Sequence, residues 1–96
     1  MPYVQPNLLA GGHISVATNA DGTTYNAFAS TPCGQVTIVN DTGVDLEVRQ
    51  DGAGVAIVVF NGQPFTFYGL SNANQLGVRR KDASVTPVTL AARWEK

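Results

Sequence analysis

The sequence predicts an all-β protein, a small antiparallel sandwich or barrel of seven to eight short strands. Three observations predict it. Ten Gly and five Pro are spread so evenly that no window of ten residues lacks one. An interior Gly costs a helix about 1 kcal/mol and an interior Pro about 3 kcal/mol, so three-turn helices have no room, whereas strands of about five or six residues fit between the breakers. Apolar and polar residues alternate through Val44-Asp45-Leu46-Glu47-Val48-Arg49-Gln50, the pattern of a strand with one buried face. Clusters of Asn, Asp and Gly then recur at strand-length intervals, and each favours a turn.

In chain order, residues 1–12 hold two prolines and Gly11-Gly12 and read as an extended N-terminal arm. Residues 13–96 form a single β domain. His13 opens a strand to Thr18 with Ile14 and Val16 on one face. Asn19-Ala20-Asp21-Gly22 is a turn. A second strand spans 24–29, with Tyr25, Ala27 and Ala29 opposed to Phe28, and Thr31-Pro32-Cys33-Gly34 ends it. Val36-Thr37-Ile38-Val39 and the alternating strand 44–50 are joined by Asn40-Asp41-Thr42-Gly43, a connection of hairpin length. After Asp51-Gly52-Ala53-Gly54 comes the apolar run Val55-Ala56-Ile57-Val58-Val59-Phe60. Six consecutive apolar residues predict a strand covered on both faces, here by the arm or by another subunit. Bare, it would be an aggregation hazard. Asn61-Gly62 is the strongest hairpin signal in the chain, with Pro64 to Tyr68 as the return strand. A loop at 71–74, a strand at 75–81 and a last strand at 87–94, with Val88, Leu90, Ala92 and Trp94 in phase, complete the count.

Composition excludes several function classes. A net charge of −1 lacks the basic surface of a nucleic-acid binder. Charged residues make up only 14% of the chain, and Asp21 is the only one before Asp41. Roughly 25% is usual, so this surface is suited to contact with protein. No apolar run reaches the ~18 residues of a membrane span. The N-terminus has neither the basic nor the apolar region of a secretory signal, and Cys33, the one cysteine, has no partner for a disulfide. Synthesis in a reducing cytoplasm is the expectation.

The candidate chemical groups do not assemble into a site. His13 is the sole histidine and lacks a nucleophile in a suitable context. Cys33 with one His falls short of the three or four ligands of a zinc site, and it reads as a small buried hydrophobe. Asp41, Asp45, Glu47 and Asp51 lack the spacing of a calcium loop. Gly52-Ala53-Gly54 begins a dinucleotide fingerprint but lacks its third Gly and its helix. We therefore expect no catalytic residues, no metal and no cofactor. Arg79-Arg80-Lys81 is the one charge cluster. It reads either as a clamp for an acidic partner or a phosphate, or as a strand end paired with Asp82 and with Asp45 or Glu47.

The stretch 36–52, with Asn40-Asp41-Thr42-Gly43 and Asp51-Gly52 flanking the alternating strand, resembles small virion structural proteins of tailed bacteriophages. So does Phe67-Tyr68-Gly69-Leu70-Ser71-Asn72-Ala73-Asn74-Gln75-Leu76-Gly77-Val78-Arg79-Arg80. The likeness is one of texture: a short β-rich chain, Asn-Gly and Asp-Gly turns, and an uncharged arm. It implies a non-enzymatic capsid decoration or cement protein, or a small tail component, located in the virion after synthesis in the host cytoplasm. The implied partners are the major capsid protein or other virion proteins and further copies of the chain, with no membrane and no nucleic acid. Tyr3, Val4, Leu8 and Leu9 of the arm and Arg79, Arg80 and Lys81 are the expected partner-binding residues. The alternative is a stand-alone β-barrel module that binds glycans or single-stranded nucleic acid on an aromatic face, with Tyr25, Phe28, Tyr68 and Trp94 as candidates.

Overall fold

A computed structural model describes residues 11–51 and 54–96. Eight strands are present among the described residues: β1 (Gly11–Ala17), β2 (Asn26–Ala27), β3 (Gln35–Val39), β4 (Leu46–Gln50), β5 (Ile57–Val59), β6 (Pro64–Tyr68), β7 (Leu76–Arg80) and β8 (Thr89–Glu95). They form two antiparallel four-stranded sheets, in the orders β1-β8-β3-β6 and β2-β7-β4-β5. The protein is thus all-β and antiparallel, as expected, with one 3-10 turn at Ala73–Gln75. β1 begins at Gly11, two residues before the predicted start of the β domain. The rest of the arm, with Tyr3, Val4, Leu8 and Leu9, lies outside the described residues.

The pairings share one logic. β4 pairs β5, β3 pairs β6, β2 pairs β7 and β1 pairs β8. The chain is a single long hairpin whose tip lies between β4 and β5. That ribbon is bent at three corners and rolled until β8 meets β3 and β7 meets β4. The result is an eight-stranded jelly roll. This corrects two expectations. The turns after β3 and after β5 are not hairpins: β3 and β4 lie in different sheets, and so do β5 and β6. Their turn chemistry is nonetheless used, since Gly43 and Gly62 have φ of +92° and +86°, where L side chains are strained.

Each corner is tied by a polar side chain. At the first, Thr18 N–H donates to the Val88 carbonyl at 2.9 Å, and Val88 N–H donates to Thr18 Oγ1 at 3.0 Å. At the second, Asn72 Oδ1 accepts from Thr31 N–H and Asn74 N–H, while Gln75 Oε1 accepts from Ser71 and Asn72 N–H. At the third, Asn40 is fully buried. Its Nδ2 donates to the carbonyls of Val44 and Val59, both at 2.8 Å, and its Oδ1 accepts from Thr42 N–H and Oγ1. Its own peptide pairs with Gln63 and Gly62. Asn40 is therefore a packing residue.

The interior is filled by Phe28, Val36, Ile38, Leu46, Val48, Val59, Phe67, Leu76, Val78 and Leu90, all buried. Fully burying each large apolar side chain is worth about 1.5–3 kcal/mol. The predicted strand phases hold in β1, β4 and β8. The run 55–60 is corrected: only Ile57–Val59 is strand, and Val55 is 90% exposed.

Asn40→Asp keeps the shape and the acceptor but removes both donors, and places a charge against two carbonyls. We expect a loss of about 3 kcal/mol or more in urea unfolding. Asn72→Ala, at a half-buried corner, should lose about 1–2 kcal/mol.

Candidate functional site

The residues expected to carry chemistry stay apart. His13 is exposed on the outer face of the first sheet, directly opposite Arg93. Cys33 is buried at the second corner, where burial pushes its thiol pKa up and keeps it protonated. Glu47 is held by Arg79, and Asp45 Oδ1 accepts from Asn61 N–H. Among the described residues no group of three or more His, Cys, Asp or Glu could hold a metal ion.

The Arg79-Arg80-Lys81 cluster divides. Arg79 Nε donates to Glu47 Oε1 at 3.0 Å across the sheet, and its Nη1 to the Thr23 carbonyl at 3.1 Å. Arg80 points the other way, its side chain 11% exposed. It makes a two-pronged contact with Asp82 at 3.0 and 2.8 Å and donates to the Thr86 carbonyl at 2.8 Å. Both arginines thus brace their own chain, as the strand-end reading has it. Lys81 is exposed beside a polar cleft of about 520 Å³ lined by Gly43, Val44, Asp45, Asn61 and Asp82.

The aromatic candidates do not form one stacking face. Phe28 is in the core. Trp94 packs against the core and covers Gly12, where an added Cβ would come within 2.8 Å of the indole nitrogen. Tyr25 lies on the outside of the second sheet under two arginines. Tyr68 alone is widely exposed, at 72%.

What the rolling leaves uncovered is an apolar strip. β5 and β6 are the last strands of their sheets, on the same side of the sandwich. A cleft of about 410 Å³ opens between them, lined by Val48, Val55, Ile57, Phe65, Phe67 and Tyr68 among others. The rings of Phe65 and Phe67 lie 4.7 Å apart. Phe67 is buried, whereas Ile57 is 39% exposed, and Phe60 and Phe65 are exposed too. Sequence reasoning placed a strand at Pro64 to Tyr68 but missed that its Phe65–Phe67 face runs out of the core at its end. The signal was present in the Val55-to-Phe60 run, read there as a strand needing an outside cover.

The architecture is similar to that of an RmlC-like cupin protein from Desulfovibrio desulfuricans, with a TM-score of 0.53 at 15% identity over 90% of this chain and 72% of the other. A protein from Neisseria meningitidis aligns over 91% of this chain and 75% of its own, at a TM-score of 0.48 and 10% identity. A de novo designed double-stranded β-helix aligns over 91% and 88%, at 0.41 and 21%. The first likeness shows the fold alone. No family model and no curated protein matches the chain.

The Arg80 hydrogen bonds to Asp82, helped by Ser84 N–H, hold that carboxyl below its usual 3.8. A depressed pKa means that the link is complete above pH 3.8 and is lost as pH falls below it through the folded value. The Arg80 Nε–H signal in NMR should stay protected from exchange at neutral pH and lose protection only in that acid range. Asp82→Ala should remove the protection at neutral pH.

Proposed function

We propose that this protein is a non-enzymatic structural protein of a virion that binds neighbouring coat proteins and stabilises the shell. The observation that carries the docking mode is the uncovered apolar strip between β5 and β6. The setting comes from the sequence resemblance to small virion proteins of tailed bacteriophages, and a tail component would use the same strip.

The interior is filled by apolar side chains from both sheets. Val55, Ile57, Phe60, Phe65 and Tyr68 are large apolar or amphipathic groups left to water. Covering each on a partner recovers part of the roughly 1.5–3 kcal/mol that full burial of such a side chain is worth. Aromatic groups near the centre of such a patch carry most of the affinity in protein interfaces. Many weakly held copies on a repeating lattice then add up to a brace for the whole shell.

Two variants test the proposal on purified particles. Ile57→Asp with Phe65→Ser leaves every fully buried core residue in place and should unfold near the wild-type midpoint, yet its copy number per particle should fall about tenfold or more. Removal of residues 1–10, which spares β1, should lower the occupancy as well if the arm contributes. Undiminished occupancy of the Ile57/Phe65 variant would overturn docking through this strip. A chain absent from purified particles of its source would overturn the setting.

A further inference from the structure

One edge of the first sheet is left open. β1 is the outermost strand of that sheet and, at seven residues, the longest edge strand of the sandwich. β8 pairs with it on one side, and among the described residues no strand pairs with it on the other. The hydrogen-bond phase tells which backbone groups face out. Thr18 N–H donates to the Val88 carbonyl, and the register sets Ala17 against Thr89. Hydrogen-bonded pairs alternate along an antiparallel ladder. Val16 and Ile14 therefore turn their peptide groups toward β8, and Ala17, Ser15 and His13 turn theirs away. Two bonds agree with this phase. The Ala17 carbonyl accepts from Asn26 Nδ2 at 2.9 Å on the outer side, and the carbonyl of Glu95, opposite Gly11, accepts from Gly34 N–H on the side away from β1. The N–H and carbonyl groups of His13 and Ser15 are thus unpaired among the described residues.

The other three edge strands offer less. β2 is two residues long, β5 is three, and β6 begins with Pro64, which has no N–H. β1 contains no proline and no Asp, Glu, Lys or Arg, the residues with which natural edges turn other strands away. Its inward side chains are short of cover as well. Ile14 and Val16 pack against the core yet stay half-buried, since β2 across from them spans only Asn26–Ala27.

We propose that β1 pairs antiparallel with β1 of a second copy of this chain, joining two first sheets into one continuous sheet. The strand itself selects the partner. With the other edges blunted, the open edge of one copy meets the open edge of another, and such a contact must be self-complementary. Full overlap of Gly11–Ala17 with itself puts the two-fold axis at Ile14. His13 of each copy then stands opposite Ser15 of the other, and their outward N–H and carbonyl groups bond to one another. No like charges face each other, which would weaken the pairing. Ile14 meets Ile14 of the second copy in the closer, non-hydrogen-bonded kind of pair, with Cα atoms about 4.5 Å apart, so each covers the other. Because β6 at the far edge discourages a further strand, the assembly closes at two copies and does not run on as a fibre. The two β6 strands then lie at opposite ends of the joined sheet, about 33 Å apart at ~4.8 Å per strand step. Such a dimer carries two apolar strips facing apart and bridges two neighbouring coat proteins. That consequence rests on the docking proposed above; the pairing does not.

The test uses the full chain in solution, without particles, so its outcome is separate from that of the docking test. Light scattering should give twice the 10.1 kDa mass of one chain, and hydrogen exchange should show the His13 and Ser15 amides protected along with those of Ile14 and Val16. Ser15→Pro removes an N–H that bonds nothing within the described chain, at an edge position where proline is tolerated. It should keep the wild-type circular dichroism and weaken association about tenfold or more. Disulfide formation reads the register. Ile14→Cys should cross-link two chains on mild oxidation, since its pair falls within the Cα separation of a disulfide, whereas Val16→Cys, opposite Gly12, should not. Removal of residues 1–10 should leave the dimer intact. A chain that keeps the monomer mass up to about 1 mM overturns the proposal. So does a folded Ser15→Pro variant that associates as tightly as wild type, a dimer that is lost with residues 1–10, or cross-linking through Val16→Cys but not through Ile14→Cys.

Discussion

Rolling a hairpin ribbon into two layers breaks its hydrogen-bond ladder at every bend, and the rest of this structure depends on how those bends are repaired. A buried N–H or carbonyl left unpaired costs about 1–3 kcal/mol, a large part of a small domain's net stability. Asn40 is the centre of the repair at the third bend, where Thr42 Oγ1 also donates to the Val44 carbonyl and Gly43 N–H donates to Asn61 Oδ1. Asn40 supplies two donors to the carbonyls flanking β4 and β5, accepts twice from Thr42, and threads its own peptide into the 61–63 turn. Ser and Thr have one donor and an ionised Asp none, so of the short side chains only the Asn amide meets both carbonyls at once. The other bends are tied by other groups. Thr18 uses a hydroxyl, and Asn72 works with Gln75 as a capping box around the 3-10 turn.

A roll of this size has just enough space for its own side chains. Val36, Ile38, Leu46, Val48, Leu76, Val78 and Leu90 point inward from both sheets and fill the interior, as in other small closed sheets.

Much of this was legible in the sequence. The alternation through 44–50 gave β4 and its phase, Pro64 to Tyr68 is β6 to the residue, and the phased Val88, Leu90, Ala92 and Trp94 line β8 and its approach. What failed was connectivity. An Asn-Gly or Asp-Gly turn records that the chain reverses, through a backbone that Gly alone adopts freely; it does not record whether the next strand lies beside the last or across the core from it. That choice is made by long-range pairing, such as Val36 with Phe67 or Leu46 with Arg80, which no local window contains. The placing of Arg49 and Arg79 against Tyr25 was invisible for the same reason. The three lie far apart in sequence, and Arg49 looked like one more outward residue of an alternating strand.

The two open sides of the sandwich are treated differently. At the β1–β2 side the sheets are stitched: Asn26 Nδ2 donates to the Ala17 carbonyl at 2.9 Å, and Asn19 Nδ2 to Asn26 Oδ1 at 3.2 Å. At the β5–β6 side the strands part around Ile57, Phe65 and Tyr68. An exposed edge invites another chain to pair with it, yet β5 is three residues long and β6 begins with a proline, which has no N–H to offer. Strand addition is thereby discouraged while the side chains stay available. An edge that refuses backbone pairing but presents aromatic and aliphatic groups selects for a partner of complementary shape over indiscriminate stacking. This is the physical condition under which a sticky surface on a small protein leads to an ordered contact and not to a fibre.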